Sequence, residues 1–287
     1  MDSDTIKVFV GCDPNNCDLE QMMVLDYSIR KHTSLPIDII WMQLSRDPES
    51  FWYSNPEIGE GWNTTKWPTP FSGFRWAIPE YCNYSGRAVY MDADMIVLSD
   101  LAKLWVHPIE GSAIVAAKTS ADMTRLCTCV WDCSLAKNTI PSLTKLRKDS
   151  KSHRRMMRLI KKDPSLVEPY QDSYNCVDGE GLAIDDIRIL HYSDMGTQFS
   201  HKHSLERLSE EGREHWFDGE IMSHPRQDLA ELFDRYYYEA LDNGHQLDNY
   251  RVKPFGNFPK KTQQRYTGNK VTRPDVSKSF FSRVFKR

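Results

Sequence analysis

Tyr90-Met91-Asp92-Ala93-Asp94-Met95-Ile96-Val97-Leu98-Ser99-Asp100 is the stretch around which the chain is organised. Ala88, Val89 and Tyr90 read as the end of a buried strand, because continuous apolar and aromatic residues suit a sheet covered on both faces. The strand runs straight into two carboxylates separated by one small residue. The chain leaving the strand can aim Asp92 and Asp94 at one point, where a hard divalent cation would hold them together. Two carboxylates beside a core are costly unless a cation or hydrogen bonds compensate them, which favours a metal site over a solvated turn that caps a helix.

Upstream, Ile6-Lys7-Val8-Phe9-Val10-Gly11-Cys12-Asp13 reads as a first strand ending in Gly, Cys and Asp. Asp18 to His32 has a partly helical spacing of apolar residues, with Asp18 as the cap and Pro36 as the stop. Ile37 to Leu44 returns to the sheet, giving the opening of a doubly wound βαβ unit. Ligands in such open sheets gather at the carboxyl ends of the strands. Residues 45–70 change character, with Pro48, Pro56, Pro68, Pro70, Gly59 and Gly61 interrupting Trp52, Tyr53, Trp62 and Trp67. A long ordered loop with aromatic faces reads as a lid or acceptor wall, or as packing against the core. Arg75, in apolar company between Phe71 and Glu80, is a fixed cation suited to a diphosphate or to orienting Asp92.

The stretch from Tyr90 to Asp100, continued by Leu101 and Leu104-Trp105, resembles the Asp-x-Asp segment of the retaining nucleotide-sugar glycosyltransferases of family 8, the glycogenin and lipopolysaccharide galactosyltransferase family. The resemblance covers roughly residues 6 to 200, with Asp92-Ala93-Asp94 and the strand Arg188-Ile189-Leu190-His191-Tyr192 as its anchors. It implies the GT-A fold, a Rossmann-like α/β architecture with a mixed, mostly parallel sheet flanked by helices. The catalytic domain would span residues 1–200, a helical part 201–250 would pack on it, and a basic aromatic tail would occupy 251–287. Asp92, Asp94 and His191 would be the metal ligands. Nitrogen with carboxylate oxygen points to Mn²⁺ over Ca²⁺, with Mg²⁺ as the alternative.

The resemblance further implies a UDP-sugar donor, held by Gly11, Cys12 and Asp13 at the uracil and ribose and by Arg75, Asp92 and Ala93 at the diphosphate. It implies hexosyl transfer to a saccharide or lipid-linked glycan acceptor, in bacterial-type surface polysaccharide or glycoconjugate assembly. Asp132 and Asp172 are the carboxylates to test as catalytic, with Asn175 beside them. The family's Asn-small-Gly opening is not reproduced at Arg125 to Cys127, its Asp-Gln pair stands here as Gln171-Asp172, and its diphosphate lysine is missing after His191. Gln198, or His201, Lys202 or His203, stands where a replacement for that lysine would be sought. A strand-borne acidic pair also occurs in metal-dependent hydrolases and nucleotidyltransferases, although Gly11-Cys12-Asp13-Pro14 lacks a nucleotidyltransferase's Gly-rich, basic phosphate loop. A non-catalytic nucleotide-sugar binder is the remaining alternative.

Composition bounds these readings. With 287 residues, 40% apolar and 11% aromatic, the chain can form one large α/β domain with an appendage. An acidic start and no run of eighteen apolar residues lead to the expectation of a cytoplasmic protein without a membrane span or secretory signal. Seven cysteines, spread thinly, fit reduced thiols used as small core residues rather than a zinc site. From Arg251 onward eleven Lys or Arg face the single acid Asp275, a balance of +10 within a chain of net charge -3. Such a tail suggests peripheral contact with an anionic membrane. The basic segment Pro141 to Asp163 reads as a solvated helix face, and with no recognised module beside it, nucleic acid is not an expected partner.

Overall fold

The computed structural model describes residues 5–120, 123–170, 172–215, 217 and 219–256. In chain order the strands are β1 (Ile6–Gly11), β2 (Ile37–Met42), β3 (Ser54–Asn55), β4 (Glu60–Gly61), β5 (Arg87–Asp92), β6 (Met95–Val97), β7 (Val115–Thr119), β8 (Thr124–Asp132), β9 (Val167–Pro169), β10 (Cys176–Val177) and β11 (Ile189–His191). The helices are α1 (Leu19–His32), α2 (Ile78–Tyr81), α3 (Leu101–Trp105), α4 (Leu143–Lys148), α5 (Ser152–Lys162), α6 (His201–Glu210) and α7 (Gln227–Asp242).

A six-stranded sheet runs in the order β2-β1-β5-β8-β7-β9. β1 pairs in parallel with β2 and β5, β8 is antiparallel to both its neighbours, and β9 is parallel to β7. Only β8 opposes the common direction, so the sheet is mixed and mostly parallel. Val8, Phe9 and Val10 of β1 and Ala88, Val89, Tyr90 and Met91 of β5 are fully buried. That is why both strands read as unbroken apolar runs rather than alternations.

A second, three-stranded sheet, β10-β11-β6, decides where the chemistry sits. After β5 ends at Asp92 the chain bends and re-enters as β6, which leaves the main sheet and pairs antiparallel with β11. His191 at the end of β11 is opposite Met95, and the Tyr192 amide donates to the Asp94 carbonyl at 3.2 Å. The acidic bend and the histidine strand are thus stitched together.

The loop over 45–70 is not a lid. Trp52, Trp62 and Trp67 are buried and pack with Phe74, with Trp52 and Trp62 stacked at 6.4 Å and Trp62 edge-on to Trp67 at 5.6 Å. The aromatic faces serve the core, where each buries a large apolar area, and are not presented to a sugar. Asp18 does precede α1, yet its side chain makes no capping bond and lies instead 3.4 Å from His215.

Helix α7 shares the core with α1 through Leu229, Leu232, Phe233 and Tyr236. Lys31 Nζ meets Glu239 at 2.5 Å across the same seam. Residues 251–256 then run along the loop after β1, with the Phe255 amide on Pro14 O, the Val252 amide on Asn16 Oδ1 and the Gly256 amide on Asn15 Oδ1. The remainder of the expected basic tail, 257–287, and the membrane contact assigned to it lie outside the described residues. Among the described residues no helix is long and apolar enough to cross a membrane, and the seven cysteines are all unbridged.

Candidate active site

Asp92 closes the central strand and is held from one side. Tyr90, two residues earlier and on the same face, donates its hydroxyl to Asp92 Oδ1. Arg75 Nη2 reaches the same oxygen at 3.2 Å and the Tyr90 hydroxyl at 2.9 Å. The remaining Arg75 donors bind the Ser72 and Leu126 carbonyls, so the guanidinium is fixed in a buried position. Burial pushes the Asp92 carboxyl up, and Arg75 opposes that shift. Arg75 therefore orients Asp92, one of the two roles its sequence context suggested.

Gly11 is opposite Asp92 in the β1–β5 register. A Cβ there would stand 2.7 Å from the Phe71 ring and 2.8 Å from the Tyr90 hydroxyl, so the glycine makes room for the groups that hold Asp92. Its carbonyl accepts the Ala93 amide at 3.2 Å, pinning the start of the acidic bend.

Asp94 faces His191 Nε2 at 3.3 Å and accepts from Gln198 Nε2 at 3.2 Å. Gln198 in turn accepts from Gln21 at 2.7 Å. The Gln198 amide is engaged at both ends and buried, so it positions Asp94. Its neighbours are also paired: Lys202 and His203 with Asp234 of α7, and His201 with the Met195 carbonyl. Burial alone would lower the pKa of His191, but Cys127 and Asp94 beside it outweigh burial and raise it well above the usual imidazole value. Its Nδ1 is buried and makes no hydrogen bond among the described residues.

Asp92, His191 and Cys127 each offer a donor atom within 4.8 Å of the others. Asp94 joins this group through His191. Cys127 was expected to be a core residue, but β8 runs antiparallel to β5 with Met91 opposite Thr128, which brings Cys127 level with Asp92. Its Sγ lies 3.1 Å from Asn175 Nδ2 and 3.4 Å from Asn175 Oδ1. Asn175 is fully buried and its carbonyl accepts from Lys118 Nζ at 3.2 Å, so it is a fixed wall of the site. Asp172 opens the short turn Asp172–Asn175, which packs on β7, β8 and β11, and Gln171 lies outside the described residues.

The structure does not bring the side chains of two sequence-based candidates to Asp92. Asp132 ends β8 opposite Arg87, at the other end of β5 from Asp92. It caps its own turn, accepting from the Ser134 and Leu135 amides at 3.0 and 3.1 Å. Cys12 turns its thiol into the core, near the Val10 and Met42 carbonyls, and is fully buried. Asp13 fits better: one oxygen accepts the Asn15 and Cys17 amides, while Oδ1 is buried with no partner among the described residues. Burial, reinforced by Asp18, pushes its carboxyl up to about 7.

Sequence reading did not single out the buried pair Asp178 and His224, 3.0 Å apart, although Asp178 is placed beside His191 by the parallel pairing of β10 with β11. Burial raises the Asp178 carboxyl and His224 opposes that. No local pattern announces a pair 46 positions apart in sequence.

Residues 31–165 match the profile of glycosyl transferase family 8, a span that holds Arg75, Asp92, Asp94 and Cys127 and stops short of His191. No curated protein matches the chain at a significant level. Among solved structures, the glycosyltransferase GlyE of Streptococcus pneumoniae TIGR4 superposes with a TM-score of 0.53 at 15% identity, covering 89% of this chain and 66% of GlyE. The galactosyltransferase LgtC, solved in complex with donor and acceptor sugar analogs, superposes with a TM-score of 0.50 at 12% identity, covering 82% of this chain and 96% of LgtC. The chain thus spans just under two thirds of the GlyE structure, and at these identities the superpositions speak for the fold. The chain has the GT-A fold of these structures, and its residues 31–165 match glycosyl transferase family 8.

Proposed function

We propose that the protein is a retaining, metal-dependent hexosyltransferase that moves a sugar from a UDP-sugar to a saccharide or glycolipid acceptor. The observation that carries this reading is that Asp92 and His191 offer donor atoms within 4.8 Å of each other, with Asp94 3.3 Å from His191 Nε2, where the two sheets meet. Two carboxylates and an imidazole whose buried Nδ1 makes no hydrogen bond among the described residues fit a divalent cation such as Mn²⁺, or Mg²⁺ in its place. Bound there, the cation would neutralise the departing diphosphate.

The protein's own contribution is positional. Arg75 and Tyr90 hold Asp92, and Gln198 holds Asp94, so little reorganisation accompanies charge development. The unpartnered Asp13 Oδ1 suits an N–H donor on a nucleotide base, and its burial makes the missing bond costly until a ligand supplies one. With Asp132 at the far end of the sheet, double displacement would rest on Asp172, and same-face attack with retention is the preferred course. An acceptor in surface glycan assembly is the biological setting we favour.

The experiment is binding and slow hydrolysis of UDP-glucose, UDP-galactose, their N-acetyl forms and GDP-sugars, each with and without Mn²⁺. We expect metal-dependent binding of one UDP-sugar with release of UDP, lost by at least about 100-fold in Asp94→Asn with the fold intact. Full activity in that variant would end the metal reading. A non-catalytic nucleotide-sugar binder is the second reading, favoured by one observation: Gln198, His201, Lys202 and His203 all have partners other than an open diphosphate site. Turnover dismisses it.

A further inference from the structure

We propose that Cys127 is a thiolate ligand of the divalent-cation site, making its donor set oxygen, nitrogen and sulfur and shifting its preference toward borderline-soft cations such as Zn²⁺ and Co²⁺. The inference rests on the metal reading above and concerns which cation the site selects. The three donor atoms lie within 4.8 Å of one another. That spacing leaves room for one cation at the roughly 2.0–2.3 Å bonds made by carboxylate, imidazole and thiolate.

The placement of the sulfur follows from strand register. Asp92 and Cys127 face each other across the antiparallel β5–β8 pair, one step beyond Met91 and Thr128, so their side chains share a face of the sheet. Tyr90 and Cys129, two residues back along each strand, are opposite one another on the same face. Cys129 is fully buried there, whereas Cys127 is partly open.

The second observation is the environment of the sulfur. Asn175 Nδ2 is 3.1 Å from Sγ, in position to donate to it, and the asparagine is locked by burial and by Lys118 at its carbonyl. A fixed N–H donor to sulfur is the kind of outer contact that orients a metal ligand and tunes it. On the other side His191 offers a nitrogen within 4.8 Å of the sulfur. When the cation binds, the S–H bond breaks, the sulfur lone pair forms the metal bond, and the proton leaves to solvent.

Soft thiolate favours zinc-like ions, while carboxylate and water sets favour Mg²⁺ and Mn²⁺. A site with one sulfur is therefore expected to bind Co²⁺ and Zn²⁺ well ahead of Mg²⁺. Cys127→Ser should reduce Zn²⁺ affinity by about 10- to 100-fold or more and leave Mg²⁺ affinity within a few-fold.

The test is optical and independent of turnover. The full chain is titrated with Co²⁺ under reducing, oxygen-free conditions, as wild type, Cys127→Ser, Cys127→Ala and Cys129→Ser. We expect a near-ultraviolet thiolate-to-cobalt charge-transfer band in the wild type and in Cys129→Ser. Both Cys127 variants should lack it while still showing the weaker visible bands of bound Co²⁺. Wild type that binds Co²⁺ without the charge-transfer band, or a band that survives in a folded Cys127 variant, overturns the assignment of Cys127 and leaves the Asp92–Asp94–His191 reading standing. Wild type that binds none of Co²⁺, Zn²⁺ and Mn²⁺ overturns both.

Discussion

Asp92 and Asp132 close neighbouring strands of one sheet, and each is the last residue of its strand. Asp92 is met by Arg75 and Tyr90, stands beside His191, and has its carboxyl raised by burial. Asp132 is met by amides of the turn that follows it and by the Ser134 hydroxyl. The difference comes from direction. β5 runs with the sheet and β8 against it, so the two strand ends lie about five residues apart, roughly 16 Å at the rise of an extended chain. A carboxylate at the carboxyl edge shares a crevice with other strand ends, and one at the amino edge has only its own turn.

The largest way to break this contrast is to remove the cation behind Asp92. Arg75→Met leaves a largely buried carboxylate without its partner and orphans the Ser72 and Leu126 carbonyls. The expected loss is about 3–5 kcal/mol of unfolding free energy, because breaking one side of a buried pair exposes the desolvation cost of the other. Chemical denaturation would measure it, and a loss below 1 kcal/mol would show that Asp92 does not depend on Arg75. Asp92→Asn in the same background should recover part of the loss, since the stranded charge is then gone.

Asp13 sharpens the comparison from a third strand end, because its carboxylate has amides and no buried arginine. Its folded pKa is raised to about 7 from an ordinary 3.8, by burial first and then by Asp18. Between those values the folded chain holds a proton that the unfolded chain has released. Stability from this group is therefore complete below the unfolded pKa and is lost as pH rises through about 7. Asp13→Asn should accordingly gain on wild type by an amount on the order of 4 kcal/mol between about pH 4 and pH 8. Melting curves of the two proteins across that range would read it, and a constant difference would mean that Asp13 stays ionised in the folded chain.

The same three strand ends explain what a reader of the sequence can see. Ala88 to Tyr90 and the paired aspartates are legible because a doubly covered strand must be apolar throughout and a charged pair at its end needs compensation. His191 is legible only through a resemblance, since one histidine on an apolar strand carries no signal of its own. Strand direction is hidden: Val130-Trp131-Asp132 reads the same whether β8 runs up or down, which is why the sequence does not tell that Cys127, and not Asp132, stands level with Asp92. The tryptophans of residues 45–70 fail for a related reason, because an aromatic ring suits a sugar face and a packed core equally well and local spacing does not say which it meets. The bond from Gln198 to Asp94 and the Asp178–His224 pair are contacts 104 and 46 positions apart, beyond any local pattern.

The smallest effect completes the contrast from the other strand end. Asp132→Ala removes the acceptor for the Ser134 and Leu135 amides at the start of the short turn Leu135–Asn138. Losing a cap of this kind costs about 1 kcal/mol, and the carboxylate is partly exposed, so no buried charge is left behind. The variant should melt a few degrees lower, by about 2–4 °C for a chain of this size. Its cation and donor binding should stay within twofold of wild type, because nothing at the amino edge of the sheet touches Asp92 or His191. A variant that kept its melting point and lost donor binding would reverse the roles argued here for the two aspartates, and would return Asp132 to the site.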